Sequence, residues 1–253
     1  MIDTNKLKGL ENYEILHFDL LDSTNTFAKN EIKNGKKNQF IVIANEQTNG
    51  KGRMGRKFYS DKNSGLYFSI VKKDIDKNFI HLLTVLTASA ILKVLDEMTN
   101  KKFFVKWVND IFINKKKICG ILVENVINPS TKKIDYSVIG IGINLFGEIA
   151  EKEIKDIAST VEKETKIKID ENRFIVEVIK NIDDFLESIN EKSFLKIYKE
   201  RLLFKNEKIT INDFSKQYEA ELIDIDDEAR LIVNASGKIK YLNSGEVTTK
   251  TYS

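Results

Sequence analysis

The chain has 253 residues, with 41 Lys and Arg against 38 Asp and Glu. That length buries a sizeable core in one large domain, or in one large and one small, and the near-balance of charge excludes a global field that recruits nucleic acid or a membrane surface. The single cysteine, Cys119, excludes an internal disulfide, the N-terminus is polar, and no run approaches ~18 apolar residues, so a cytoplasmic protein without a membrane partner is expected.

Residues 22–35, DSTNTFAKNEIKNG, read as a short helix capped by Asp22 or Ser23 and stopped by Gly35. The apolar run 39–45 is a buried strand leading into NGKGRMGRKF (49–58), where Gly50, Gly52 and Gly55 have the spacing G-x-G-x-x-G. Residues 64–73 form another strand, and 78–98, apolar on nearly every side, the strongest helix. Three strands follow at 103–114, 117–128 and 135–146. The lysine cluster and NPSTKK between them suit hairpin turns, implying an antiparallel sheet. Helical stretches are expected at roughly 148–163 and 171–203. From residue 204 short strands recur about every ten residues, which indicates a small separate β-domain.

The glycine spacing invites a dinucleotide-binding reading, which needs a helix opening at the third glycine to receive the pyrophosphate. The chain continues RKFYSDKNSGLYFSIV, a loop and then a strand, so that reading fails. Kinase H-R-D and D-F-G motifs and a Walker A pattern are also missing. Yet the loop carries Arg53 and Arg56, two of only five arginines, together with three of twelve glycines. Planar five-donor forks on a flexible backbone suit bidentate anion recognition.

Four other segments accompany this loop. In DSTN (22–25), Ser23, Thr24 and Asn25 are small polar groups able to bind a neutral ureido or amide-like ligand, or simply a helix cap. In VKWVND (105–110) a continuous strand places Lys106 and Asp110 on one face and Trp107 on the other. Lys117 begins the apolar strand KICGILVE, where Gly120 marks a close approach of backbone or ligand. In VIGIGINL (138–145), Gly140, Gly142 and Asn144 fall on one face at period two, a bare floor for a flat ligand or for a closely packed helix. His17 and His81 are too few and too differently placed for a metal site, and Cys119 reads as a small core side chain.

In this order the five segments resemble the catalytic domain of biotin protein ligases, whose signature runs S-T-N, G-R-G-R-x-G-R with a following tryptophan, K-W-P-N-D, K-x-x-G-I-L-x-E and G-x-G-x-N. The resemblance spans about residues 15–200. It implies an α+β fold, a mixed, largely antiparallel sheet with flanking helices over 1–203, and a small SH3-like β-barrel over 204–253. It also implies a two-step reaction: biotin and ATP, with Mg2+, give biotinyl-5′-adenylate, and the biotinyl group passes to a lysine of a biotin carboxyl carrier protein. By resemblance Lys117, Arg53 and Asp110 are catalytic. Ser23, Thr24, Asn25, Gln47, Gly50, Lys51, Gly52, Gly140 and Gly142 meet biotin together with Arg53 and Lys117. The nucleotide would meet Arg53, Arg56, Asn109, Lys117 and Asn144. Lys51, Phe58 and Val108 stand where the family usually has arginine, tryptophan and proline.

Three other readings remain: a lipoate or acyl ligase of related fold, a non-catalytic biotin-binding module, and a biotin-responsive regulator. The residues before Ser23 are too few for a helix-turn-helix, so no DNA partner is expected, and a homodimer is left open.

Overall fold

A computed structural model describes residues 2–128, 130–212 and 217–248. Strands β1 (Glu14–Phe18), β2 (Phe40–Ala44), β3 (Gly65–Lys73), β4 (Phe104–Lys106), β5 (Asp110–Ile113), β6 (Lys116–Ile127) and β7 (Ile134–Asn144) form one seven-stranded sheet. Its order is β1-β2-β3-β7-β6-β5-β4; β1 runs parallel to β2, and every other neighbouring pair is antiparallel.

Both faces of this sheet are covered, which is why its central strands read as unbroken apolar runs. Ile41, Ile43, Phe68, Ile70, Ile139 and Ile141 face a core shared with helices α2 (Leu83–Thr99), α4 (Glu171–Glu187) and α5 (Ser193–Glu200). Phe40, Val42, Val71 and Val138 face the other way, onto Ala28 of helix α1 (Thr24–Lys33). As expected, Ser23 caps α1 by accepting from the Thr26 amide, and Gly35 follows its end at φ 98°. Helix α2 is buried along most of its length, with His81 in a single 3-10 turn before it.

Three expectations need correction. Residues 103–114 are two strands: the chain turns at Trp107–Asn109, so β5 folds back on β4 with Lys106 opposite Asp110. The two side chains share a face, as expected, but as a cross-strand pair. Residues 148–160 are not helical; only the short α3 (Val161–Thr165) forms there. Backbone groups of that segment are spent elsewhere, the Ile157 carbonyl accepting from the Lys117 amide and the Ser159 amide donating to the Lys117 carbonyl. Residues 171–203 break into α4 and α5 at Ser188–Lys192, where Lys192 takes φ 51°.

The C-terminal residues form a five-stranded antiparallel sheet, in the order β11-β10-β9-β8-β12. Its strands are β8 (Lys208–Asn212), β9 (Gln217–Ile225), β10 (Leu231–Ala235), β11 (Lys238–Leu242) and β12 (Glu246–Thr248). Ile209, Ile211, Leu222 and Val233 join the same apolar cluster as α2 and α5. Pro129 of the expected NPSTKK turn, and 213–216 and 249–253 of the expected β-domain, lie outside the described residues. No helix among the described residues is long and apolar enough to cross a membrane.

Candidate active site

Sheet register builds the floor of one cleft. Lys106, Asp110, Gly120, Gly142 and Tyr67 stand in one row across β4, β5, β6, β7 and β3. Leu122, Gly140 and Ser69 form the next row on the same face. The cleft above them has a volume of about 190 Å³. Of the sequence-assigned residues it gathers Ser23, Thr24, Asn25, Gln47, Lys51, Gly52, Arg53, Arg56, Asn109, Asp110, Lys117, Gly140 and Gly142. Gly50 and Asn144 stand back from its lining: a Cβ on Gly50 would lie 2.3 Å from the Phe58 carbonyl oxygen, and the Asn144 amide donates to the Ser159 carbonyl at 3.3 Å.

The glycine loop is a folded hairpin. Phe58 N–H donates to Gly50 C=O at 2.8 Å and Gly52 N–H to Arg56 C=O at 2.7 Å. Gly55 closes the turn at φ 74°, a conformation that favours glycine. The returning strand lays the Phe58 ring on the floor, where a Cβ on Gly142 would meet it at 2.4 Å and one on Gly120 at 3.1 Å. The two floor glycines thus make room for an aromatic wall.

At one end of the cleft the side chains are polar and neutral. The Thr24 amide donates to Gln47 Oε1 at 2.8 Å, and Gln47 Nε2 donates to Ser60 Oγ at 2.8 Å. Buried Ser69 Oγ lies 2.7 Å from Thr24 Oγ1 and 2.6 Å from Asn25 Oδ1. Asn25 Nδ2 donates to Glu124 Oε2 at 2.9 Å and to the Leu122 carbonyl at 3.3 Å. Gly140 is required here by space, because a Cβ would lie 2.2 Å from Asn25 Oδ1. With these bonds made, Asn25 retains an oxygen lone pair, Gln47 one amide hydrogen, and Ser23 its hydroxyl hydrogen, since Ser23 Oγ only accepts, from the Thr26 amide.

The other end is cationic. Lys117 Nζ lies 2.8 Å from Asp110 Oδ1, Asn109 Nδ2 donates to the same oxygen at 2.9 Å, and Arg53 Nη1 donates to Asn109 Oδ1 at 2.9 Å. Asp110, Asn109 and Arg53 therefore form one chain of contacts beneath the loop. Lys106 joins them; burial holds its ammonium below the usual lysine range, and nearby Lys117 and Arg56 add to this while Asp110 and Glu246 oppose it. Trp107 turns into the core, where its indole N–H donates to the Ala229 carbonyl at 3.1 Å.

Lys117 reaches the cleft through an irregularity. Ile111 pairs with Cys119 and Phe112 with Lys117, so β6 carries one residue, Ile118, that β5 does not match. Ile118 and Cys119 are both buried in the core, while Lys117 Cε lies 3.5 Å from where a Cβ on Gly120 would stand, on the cleft face. Such a bulge re-aims a side chain that strict alternation sends to the other face.

Seven contributors were given no role by the sequence reading. Lys106 was placed beside Asp110 without a role, although its face already pointed to the cleft. Glu124 and Lys29 hold Asn25 from outside; the motif K-x-x-G-I-L-x-E ends on Glu124 without saying what it meets, and Lys29 lies in no motif. Gly245, Glu246, Val247 and Thr248, from β12 and the residue before it, line the cleft, with Glu246 Oε2 2.6 Å from Arg56 Nη2.

A model of the biotin/lipoate A/B protein ligase family matches residues 17–144. The chain is 28% identical over 242 residues to the bifunctional ligase/repressor BirA of Bacillus subtilis, covering 92% of this chain and 73% of that protein. It is 25% identical over 256 residues to the BirA of Escherichia coli, covering 99% and 79%. The fold is similar to a biotin protein ligase from Aquifex aeolicus in complex with biotin and ATP, with a TM-score of 0.78, 28% identity, and 93% and 97% of the two chains covered.

Proposed function

The chain belongs to the biotin/lipoate A/B protein ligase family, and we propose that within it this protein is an ATP-dependent biotin protein ligase. It joins biotin to ATP as biotinyl-5′-adenylate and transfers the biotinyl group to a lysine of a biotin carboxyl carrier protein. The catalytic unit is residues 1–203, and 204–253 is a small unit that lends β12 to the cleft.

The observation that carries this reading is the unspent hydrogen-bonding capacity at the neutral end. A ureido ring presents one carbonyl acceptor and two N–H donors. Asn25 Oδ1 can accept from an N–H, while Gln47 Nε2 and Ser23 Oγ can donate to the carbonyl. A lipoyl dithiolane offers no such groups and would leave these polar atoms unpaired, the situation that sites built to bind a polar substrate reject most strongly. The similarity to a biotin protein ligase from Aquifex aeolicus in complex with biotin and ATP favours the same choice.

The cationic end suits the first chemical step. A carboxylate oxygen of biotin attacks the α-phosphorus, the bond to the bridging oxygen breaks, and pyrophosphate leaves. Both reactants are anions, so Lys117, Arg53, Lys106 and Arg56 lower their repulsion and stabilise the charge spreading in the transition state. Asp110 and Asn109 hold Lys117 and Arg53 in place. Asp110, which lines this end together with Glu246, is also a carboxylate that would meet a magnesium ion arriving on ATP. No group of three or more His, Cys, Asp or Glu able to cage a metal occurs among the described residues, which fits an ion held mainly by phosphates and water. Such an ion would neutralise charge on the departing pyrophosphate. In the second step the carrier amine attacks the acyl carbon, the acyl–oxygen bond breaks, and AMP leaves as the amine loses its proton. The loop hairpin keeps water from the mixed anhydride until then.

The test is incubation with biotin, ATP and magnesium, then mass spectrometry for biotinyl-5′-adenylate and for a biotinylated carrier domain. Lipoate in place of biotin should give no adenylate. Adenylation of lipoate but not biotin would overturn the reading.

A further inference from the structure

Glu124 lines no part of the cleft, yet two residues of α1 converge on its carboxylate. Asn25 Nδ2 donates to Oε2 at 2.9 Å, and Lys29 Nζ meets Oε1 at 2.5 Å. Positions 25 and 29 are one turn apart, so they lie on the same side of the helix. The second Asn25 amide hydrogen goes to the Leu122 carbonyl, and the amide oxygen accepts from Ser69. Both partners of the Asn25 amide nitrogen are therefore acceptors. Turning the amide over would set Asn25 Oδ1 against a carboxylate and a carbonyl.

We infer that Glu124 is a positioning residue that, fixed by Lys29, decides which end of the Asn25 amide meets the ligand. The inference rests on the reading of the neutral end as the biotin ureido site. With Glu124 ionised and acceptor-only, Asn25 presents oxygen to the cleft and selects a ligand N–H. Burial alone would raise this carboxyl, but the bonds from Lys29 and Asn25 more than offset it and leave it below the usual carboxylate range. The carboxylate thus acts on the ligand through one intervening side chain, without touching it.

Glu124→Gln makes a sharp test. Lys29 and Asn25 both donate to this group, and a carboxamide has one oxygen to offer. If Lys29 takes that oxygen, the Gln nitrogen faces Asn25 and favours the turned amide. Lys29→Met in the same chain frees the oxygen for Asn25. Binding of biotin, of biotin methylated on a ureido nitrogen, and of ATP would be measured by calorimetry for wild type, both single variants and the double variant. Glu124→Gln is expected to weaken biotin about tenfold, the scale of one lost buried hydrogen bond, to narrow the preference over the methylated analogue, and to leave ATP unchanged. Lys29→Met alone should weaken biotin less than Glu124→Gln, because the looser carboxylate still accepts from Asn25, and the double variant should recover most of the Glu124→Gln loss, which a plain structural clamp would not do. A double variant as weak as Glu124→Gln, an unchanged Glu124→Gln, or a Glu124→Gln chain that fails to fold would each overturn the positioning role. A wild-type chain that binds no biotin would overturn the proposed function itself, and this inference with it.

Discussion

Arg56 of the loop hairpin and Glu246 of β12 meet at 2.6 Å although 190 positions separate them in the sequence. The C-terminal sheet therefore holds the loop that covers the cleft. The Arg56 side chain is 67% exposed, so the pair should add little to global stability, roughly 0–1 kcal/mol. Its effect is expected on the loop instead. Glu246→Gln should leave the melting temperature nearly unchanged while raising KM for ATP. Equal KM values would show that the contact does not help hold the nucleotide end of the cleft.

Lys117→Ala is expected to fold and to form adenylate about 10²–10³-fold more slowly, the usual cost of removing one preorganised group that stabilises transition-state charge. Pyrophosphate release under saturating biotin and ATP gives the rate. A near-wild-type value would remove Lys117 from the chemistry.

Arg53 reaches the Asp110 segment only through Asn109, which leaves other guanidinium donors for an anionic intermediate. Arg53→Ala should speed loss of preformed adenylate by about 10- to 100-fold, since hydrogen bonds to charged groups contribute about 1.5–3 kcal/mol. Biotin affinity should fall less. An unchanged off-rate would refute the role of the loop as a lid.

Gly140→Ala places a methyl group 2.2 Å from Asn25 Oδ1. Overpacking of this kind costs roughly 1–3 kcal/mol. Here it also displaces the amide that faces the ligand. The variant should lose both stability and biotin affinity while binding ATP alone as before. Wild-type biotin binding would mean that Asn25 does not contact the ligand.

Lys106 gives a pH signature. Its ammonium is held below the usual lysine range by burial, with Lys117 and Arg56 adding to the effect. Between its native pKa and the unfolded value of about 10.4, the unfolded chain binds more protons, so this group makes stability rise with pH. Urea melts between about pH 8 and 10 should show Lys106→Met lacking that rise relative to wild type. Parallel curves would show that Lys106 is not desolvated in the native state.

Much of this arrangement was legible in the sequence because it is local. Ser23 announced a helix cap, Gly35 its end, and the period-two pattern of 138–144 placed Gly140 and Gly142 on one face, as found. What escaped depends on distant partners. The run 103–114 is apolar enough for one strand, but the Trp107 indole finds the Ala229 carbonyl and Ile121 N–H bonds to Asn109 C=O, which favours a turn. Residues 148–160 have helical composition, yet the Ile157 carbonyl and the Ser159 amide pair with Lys117. The break between α4 and α5 has no glycine or proline to mark it, and Lys192 adopts the left-handed conformation unaided by its type. Glu246 could not be assigned because nothing in its neighbourhood says which cleft the last described strand will reach.

The unmatched residue in β6 creates a competing register. Were the bulge to slip by one position, Ile118 would stand opposite Phe112 and the Lys117 ammonium would turn toward the core. Two backbone bonds oppose that slip, from Lys117 N–H to Ile157 C=O and from Ser159 N–H to Lys117 C=O. They come from Ile157–Ser159, a short bridge partner of Lys117 outside the cleft lining, with Ala158 and Ser159 buried. Replacing Ser159 by proline would delete one of them, because proline has no N–H. The chain could then lose activity with every group that touches substrate still present, through a change in strand phase alone.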